Sequence, residues 1–428
     1  MRYRLSPDDD DFGFFDDEEE EEFDDSEEQY DEEDFEEADF EEEEEQESFD
    51  EEPADDLPEI DDRAFASAED FPDAIPADFN DDPGDWSLDD YAASAANLFG
   101  ANPFFGDTLS SQLTDAGYRF FEGPQFLANF DTLAPGAGET LRLFERDGVL
   151  HAFGYLPLAA LELLRARYTG IDWSHAQVSV PPLDGERVEP RPLPPPFAEV
   201  PLRDAVDLRP YGPPVADQRQ TARCSAFAWT HATEMARNIL GAPTVRLSPN
   251  YTMFQFQRMQ GDARDFTHAY RGGDGTIGGP EPGEVLAEAG TCQQRLWPDD
   301  SPEPIAGPGF LDSDAANHRL PATPWPIALD DVKRALSAGC PVHVSMNTGP
   351  RFADVGRDGV VDAAEAPSGI HGRHAMLLCG YMGNFYIGKN SWGPDWGDQG
   401  YCYIPKNVLM EADADFVAAL LDKPGQRP

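Results

Sequence analysis

The chain has 428 residues, and its 85 acidic residues against 30 basic ones give a formal net charge of −55 at pH 7. Most of this charge lies in residues 1–90, which contain 45 acidic residues and only three arginines. Such a surplus argues against binding to nucleic acids or anionic membranes, which need clustered lysine and arginine. We find no apolar run of about 18 residues and no apolar signal segment near Met1, so neither a membrane span nor an ordinary secretory signal is expected. The sequence leaves two possibilities for the location of the protein, the cytoplasm or non-classical export.

Residues 1–90 form a low-complexity acidic segment with scattered aromatic residues. A segment of this kind repels itself and buries too little apolar area to offset its chain entropy, which predicts a disordered, solubilising tail. The aromatic residues among the charges favour a second hypothesis, in which the tail docks onto a basic partner. Salt dependence of partner binding separates the two hypotheses.

Residues 91–175 have an ordinary composition and are predicted to form a small α+β unit. Apolar residues over 141–153 flank the dipeptide Asp147-Gly148, a pattern typical of a β-hairpin. Residues 158–168 follow with apolar positions at helical spacing.

Residues 176–205 are rich in proline and are predicted to act as an extended, semi-rigid linker. The remaining segment, residues 206–428, is long enough to bury a substantial core. The main domain boundary is therefore placed at the linker.

The chain has only five cysteines, too few and too scattered to predict a disulfide framework. They are Cys224, Cys292, Cys340, Cys379 and Cys402. No Cys-x-x-Cys pair is present, so no structural zinc site is expected.

Cys224 opens a helical pattern of small and apolar residues that ends at Gly241. A thiol at the N-terminus of a helix feels the positive end of the helix dipole, and the adjacent Arg223 acts in the same direction. The pattern therefore favours a reactive thiolate. The alternative is a small buried hydrophobic residue, as most free cysteines are.

Three short apolar runs, residues 374–381, 385–390 and 400–405, predict an antiparallel β unit. His374 begins the first run and Asn390 ends the second, so the two side chains can meet across a strand pair. An imidazole that serves a thiol needs an acceptor on its other ring nitrogen, and an Asn carbonyl can supply it.

Residues 389–401, which begin Lys-Asn-Ser-Trp-Gly, resemble the Asn-Ser-Trp-Gly signature of papain-like cysteine proteases. Gln218 precedes Cys224 by six residues, as in that family, and the resemblance covers about residues 206–410. Stretches such as 290–298 are similar to bacterial members. The resemblance implies an α+β fold of two subdomains, one helical around the Cys224 helix and one of antiparallel β-strands, with a peptide-binding cleft between them.

The resemblance also implies a role for each matching residue. Cys224 is the nucleophile, His374 the general base and Asn390 the residue that holds the imidazole. Gln218 and the backbone N–H of Cys224 form the oxyanion hole. Trp392 covers the bond between histidine and asparagine.

The implied activity is that of a cysteine endopeptidase, which hydrolyses a peptide or protein substrate through a thioester and needs no cofactor. Gly272 and Gly273 are expected to line the cleft, where a substrate backbone approaches closely. The chain departs from the family pattern at Arg219 and at Ser225, where a tryptophan is usual. Two alternatives stay open: a transamidase, ligase or deamidase that uses the same pair, and a non-catalytic peptide-binding protein with an acidic docking tail.

The small unit and the linker precede the body, as an inhibitory pro-domain would in a zymogen of this family. Residues 91–205 do not resemble the family's helical pro-region, so this hypothesis rests on position alone. A permanent targeting or partner-binding domain is the alternative.

The loop from Asp354 to Glu365 offers a second chemical hypothesis. It carries Asp at positions 1, 5 and 9, Gly at position 6 and Glu at position 12 of an EF-hand calcium loop. Gly356 stands where position 3 needs an oxygen ligand, and Pro367 limits the helix that follows. A surface hairpin without calcium is the alternative.

Overall fold

The structure is a computed structural model. It describes residues 109–180, 189–261, 265–272, 280–349, 352–361 and 372–421. The acidic segment 1–90, Gly273 and the second half of the calcium-loop pattern lie outside the described residues, so the predictions made for them stay predictions.

The small unit consists of four helices and five strands within the described residues. In chain order they are α1 (Leu109–Asp115), β1 (Arg119–Phe120), α2 (Pro124–Leu133), α3 (Ala137–Thr140), β2 (Leu141–Arg146), β3 (Val149–Pro157), α4 (Leu158–Arg167), β4 (Ile171–Asp172) and β5 (Ala176–Ser179). The predicted α+β class of this unit is therefore what the structure has.

The predicted hairpin joins β2 and β3 in an antiparallel pair, with Arg146 opposite Val149. Asp147 and Gly148 both have positive φ, 53° and 79°. These are the backbone angles that a two-residue hairpin turn needs, and Asp-Gly adopts them at low cost. Strands β4 and β5 both pair with β3 in parallel.

Most helices of the body come earlier in the sequence than most of its strands. The helices are α5 (Cys224–Ile239), α6 (Pro249–Gln260), α7 (Phe266–Arg271), α8 (Glu281–Glu288), α9 (Pro308–Ala315), α10 (Leu329–Ser337) and α11 (Lys406–Glu411). Helix α5 is buried along almost its whole length, including polar residues such as Thr230 and Glu234, so it is a central helix that is packed on every side.

The body sheet contains seven strands within the described residues. They are β6 (Ala205–Asp207), β7 (Ala322–Ile327), β8 (Val342–Thr348), β9 (Gly372–Met382), β10 (Phe385–Lys389), β11 (Tyr401–Pro405) and β12 (Asp415–Leu421). The order is β11-β10-β9-β8-β12-β7, with β6 paired to β9, and every pair is antiparallel. Helix α5 packs against β9 and β8. The α+β class and the division of the body into a helical part and an antiparallel β part are confirmed.

The segment predicted as a linker has several kinds of structure. Residues 176–179 form β5 of the small sheet, and 181–188 lie outside the described residues. After that gap, the Arg191 backbone N–H donates to Pro326 at 2.9 Å, and Phe197 is buried in the core of the body. Residues 190–205 therefore run along the body as part of it.

The small unit lies directly on the body. Val180 and Arg373 form an antiparallel bridge with hydrogen bonds of 3.2 and 2.8 Å, one residue before His374. The hydroxyl of Tyr155 on β3 donates to the Thr348 carbonyl at 2.6 Å. At Gly372 the approach is so close that an added Cβ would lie 2.6 Å from the Cβ of Ser179. The contact is thus formed by backbone as well as by side chains.

All five cysteines are free and buried, so no disulfide links the strands that carry Cys379 and Cys402. No helix in the described part of the chain has the length and apolarity needed to cross a bilayer.

Candidate active site

Cys224 is the first residue of helix α5, as its sequence pattern predicts. The thiol is only 2% exposed. It belongs to an apolar cluster that joins residues of the body, such as Ala375, to residues of the small unit, such as Val178 and Val180. The nucleophile candidate therefore lies under the small unit and not at an open surface.

Burial raises the pKa of the Cys224 thiol to about 11. The backbone N–H groups of Ala375, Ser225 and Cys224 itself oppose this rise without overcoming it. Burial therefore opposes the predicted thiolate in this form of the chain. The dipole of a helix stabilises a charge by at most about 2 kcal/mol, and complete removal from water costs more.

His374 and Asn390 meet across strands β9 and β10, as predicted. The distance from His374 Nε2 to Asn390 Oδ1 is 2.7 Å. An amide oxygen only accepts hydrogen bonds, so Nε2 carries the hydrogen and Nδ1 keeps its lone pair. His374 Nδ1 is buried and has no hydrogen-bond partner among the described residues. The imidazole is thus held in one orientation with Nδ1 unprotonated. Burial lowers the pKa of His374 to about 4.

Aromatic rings enclose the imidazole. The Trp392 ring lies 4.6 Å from the His374 ring, as expected for a residue that shields the bond to Asn390. Phe352 lies 5.7 Å from His374, and Trp396 packs on both Trp392 and Phe352. The sequence pattern does not identify Phe352, because it lies in a single 3₁₀ turn outside the motif.

Gln218 is fully buried beside the Asn-Ser-Trp segment. Its Oε1 accepts from the Ser391 hydroxyl at 2.6 Å, and its Nε2 donates to the Thr221 carbonyl at 2.7 Å. One hydrogen of the side-chain amide therefore closes the loop before Cys224. Ser391 fixes the orientation of the amide, a function that the motif alone does not reveal.

Arg223 precedes the thiol, but its charge serves the loop. The guanidinium is buried and donates to the Gln218 carbonyl, the Thr221 hydroxyl and the Asp299 carbonyl. It also lies 4.4 Å from the Tyr270 ring. Burial lowers its pKa to about 10, so it remains charged at neutral pH. Arg223 thus anchors the segment that positions Cys224.

Gly272 supports the same segment from behind. It ends helix α7 with a φ of +97°, and an added Cβ would lie 2.4 Å from the Ala222 carbonyl carbon. The predicted close approach at Gly272 is therefore to the chain's own backbone, two residues before the thiol.

Gly272→Ala should lower the free energy of unfolding by about 2–4 kcal/mol, because a left-handed alanine costs about 1 kcal/mol and the clash adds 1–3. Gly241→Ala is the matched control. Gly241 also has a positive φ, +76°, but open space around its Cβ position, so it should lose only about 1 kcal/mol. Urea unfolding measures the free energy of unfolding of both variants. Equal losses in the two variants would show that the backbone at Ala222 moves aside without cost.

The described part of the calcium-loop pattern contains Asp354 and Asp358. Asp358 Oδ1 accepts from the Val360 backbone N–H at 3.1 Å, and Val361 is buried. The later carboxylates, at positions 362 and 365, lie outside the described residues. Calcium binding here stays a prediction.

Residues 318–417 match the family model described as papain family cysteine protease. This range contains His374 and Asn390 but not Cys224. The match therefore covers the strands that carry His374 and Asn390, and helix α5 lies outside it.

The chain is similar to several cysteine proteases. It is 24% identical to Zingipain-2 of Zingiber officinale over 224 residues, 48% of this chain and 89% of that protein. It is 26% identical to Cysteine protease 1 of Oryza sativa subsp. japonica over 237 residues, 52% of this chain but only 45% of that protein. Among solved structures, xylellain, a cysteine protease from Xylella fastidiosa, is 20% identical with a TM-score of 0.46 and covers 57% of this chain and 95% of that chain. Together, the family match and Zingipain-2 show that this chain is similar to the papain family of cysteine proteases, which are hydrolases.

Proposed function

We propose that the protein is a cysteine endopeptidase in which Cys224 is the nucleophile and His374 transfers the proton. The observation that carries this proposal is the 2.7 Å bond from His374 Nε2 to Asn390 Oδ1, which leaves Nδ1 unprotonated and without a partner in the described part of the chain, one residue before Ala375, whose backbone N–H faces the Cys224 thiol. A buried imidazole with one nitrogen fixed and the other free fits proton transfer better than packing.

The reaction follows from these atoms. The thiol proton of Cys224 moves to His374 Nδ1 while sulfur bonds to the carbonyl carbon of the substrate. The oxyanion accepts hydrogen bonds from the Cys224 backbone N–H and from the second amide hydrogen of Gln218. The C–N bond then breaks, the amine leaves with the proton from Nδ1, and a thioester remains. Water, deprotonated by the same nitrogen, hydrolyses the thioester and restores the thiol.

An epoxide inhibitor of the papain family tests the nucleophile directly. After residues 181–188 are cut and the small unit is separated, the reagent should label one thiol, on the peptide that contains Cys224. Cys224→Ala should abolish the label, and Cys379→Ala should keep it. Absence of labelling in the separated body would contradict a catalytic thiol and favour a peptide-binding protein.

The small unit would hold this enzyme in a latent form. A substrate carbonyl cannot reach a thiol that is 2% exposed. The strand pairing of Val180 with Arg373 places the small unit next to His374, on the sheet strand that carries the base. These contacts support the pro-domain hypothesis over a permanent targeting domain, because a targeting domain has no need to cover the nucleophile.

The rate at which iodoacetamide alkylates Cys224 should depend on pH differently before and after release. With a pKa of about 11, only about one thiol in ten thousand is ionised at pH 7 in the intact chain. Alkylation should therefore be slow at neutral pH and rise steadily as pH increases toward 11. In the released body the rate should already be high near neutral pH, and kcat/KM should follow a bell-shaped curve. Identical alkylation profiles for the two forms would contradict the proposed burial effect.

Asn390→Ala should reduce kcat less than loss of the nucleophile does, because Asn390 orients the ring but moves no proton. In a serine-protease triad, removal of the orienting residue lowers kcat by a factor roughly a hundredfold smaller than removal of the nucleophile does. A similar ratio is expected here. Steady-state kinetics of the released body measure it. Asn390→Gln, which keeps a carbonyl at a shifted position, should recover part of the loss. A loss equal to that of Cys224→Ala would mean that Asn390 does more than orient.

A further inference from the structure

Three side chains with metal-binding atoms lie together in the small unit, away from the proposed active site. They are His151 on β3, Asp172 on β4 and His175 in the turn before β5, and one ligand atom of each lies within 4.8 Å of the others. The parallel register pairs His151 with Asp172. The turn that follows is closed by the Ser174 backbone N–H, which donates to Asp172 Oδ1 at 2.9 Å.

The geometry of these atoms suits a shared ion better than a direct bond. His151 Nδ1 lies 3.0 Å from Asp172 Oδ2, yet Nδ1 is buried and has no hydrogen-bond partner with acceptable geometry among the described residues. Two ligands bound to one tetrahedral zinc ion at 2.0–2.1 Å would be separated by about 3.3 Å. The two atoms are thus near ligand spacing but do not point at each other.

The surroundings hold the rings and leave an entry path. The His175 ring stacks on Phe153 at 4.5 Å with an interplanar angle of 6°, and the Tyr118 edge lies 5.0 Å from the His151 ring. The hydrogen bond from Ser174 orients the carboxylate from behind, as partners of metal ligands do. The Asp172 side chain is 37% exposed, so an ion can reach the site from solvent.

We propose that His151, Asp172 and His175 bind one divalent transition-metal ion of the zinc class, with water completing the coordination. Two imidazoles with one carboxylate favour such an ion over calcium or magnesium, which prefer oxygen ligands alone. The competing explanation is a simple pair of His151 with Asp172 and no metal. The site would tie β3 to the turn before β5.

The position of the site gives the ion a structural consequence. The carbonyls of Trp173 and Ala176, on either side of His175, accept hydrogen bonds from Gln220 Nε2, and the bond to Ala176 is 3.0 Å long. Gln220 lies four residues before Cys224. A bound ion would therefore stabilise the part of the small unit that accepts hydrogen bonds from Gln220, in the loop before Cys224. The ion site itself does not depend on the proposed peptidase activity.

Titration with Co²⁺ tests the proposal, using the full chain with Cys224→Ala to remove the reactive thiol. Four-coordinate cobalt absorbs strongly in the visible range, whereas six-coordinate cobalt on the carboxylates of residues 1–90 absorbs weakly. We expect one equivalent with the strong spectrum, displaced by Zn²⁺. His175→Ala should weaken this binding at least tenfold, since loss of even a partner behind a ligand costs that much. His268→Ala, a histidine on helix α7, should leave it unchanged.

Asp172→Asn is the second variant, because it keeps an oxygen for the Ser174 N–H but loses the charge that the ion needs. Circular dichroism and metal-free melting confirm that each variant folds. Equal strong binding in His175→Ala and His268→Ala would place the ion elsewhere and overturn the proposal. A weak six-coordinate spectrum in the parent chain would also overturn it, leaving His151 and Asp172 as a pair without metal.

Discussion

Cys224→Ala and His374→Ala should each reduce kcat/KM of the released body by about 10⁴- to 10⁶-fold, and the double variant should lose no more than either single one. The reason is that the sulfur and Nδ1 act in one step. Without the base the thiol stays protonated, and without the thiol the base has no proton to accept. Kinetics on a peptide substrate, with active-site titration to count competent molecules, measure all three variants.

Matched controls come from the same residue types elsewhere in the chain. Cys379→Ala removes a thiol buried in the sheet, and His268→Ala removes a histidine of helix α7. Both should keep activity within a few-fold of the parent. If the losses of Cys224→Ala and His374→Ala multiplied in the double variant, the two residues would be acting independently and the proposed pair would be wrong.

The local parts of this site can be predicted from the sequence because short-range rules decide them. Asp147-Gly148 predicts its hairpin through the φ angles that the turn demands. The run of small and apolar residues from Cys224 predicts helix α5, and the two apolar runs that follow His374 predict the strands on which it meets Asn390. In each case one periodic pattern and one terminating residue are sufficient.

The charge state of the site could not be predicted in the same way, because it depends on contacts distant in sequence. Arg223 next to a thiol suggests electrostatic activation. Its guanidinium instead donates hydrogen bonds to Gln218, Thr221 and Asp299. Cys224 is buried by a unit whose nearest strand ends more than 40 residues earlier. Neither fact has a local signature. The same is true of His151 and Asp172, which come together only through the parallel register of β3 and β4.

Cutting the chain within residues 181–188 and removing the small unit should raise kcat/KM on a peptide substrate by at least tenfold. The position of the cut follows from the structure. Strand β5 ends at Ser179, and Arg191 is already bonded to the body through Pro326. A site for a specific protease inserted in this interval separates the two units without removing residues that belong to the body. The isolated small unit, added back, should inhibit.

A single substitution in the uncut chain tests the same idea without any truncation. In Gly372→Ala the new methyl group would lie 2.6 Å from Ser179 Cβ and 3.0 Å from the Val180 carbonyl oxygen, so β5 must move away from β9. We expect faster alkylation of Cys224 and measurable activity in the intact chain. Ser179→Gly in the same chain removes the side-chain part of the clash and should restore part of the latency.

These two experiments distinguish latency from the alternative role of the small unit. A permanent targeting or partner-binding domain would leave the activity unchanged by the cut and by Gly372→Ala, since nothing in that role requires the strand contact beside His374. An inhibitory domain requires it, because Val180 pairs with Arg373 on the strand that carries His374 and shares an apolar cluster with Cys224. Activity that is equal in the intact chain, the cut chain and Gly372→Ala would therefore exclude the inhibitory role, whereas activation of both altered forms would assign it to the contact between β5 and β9.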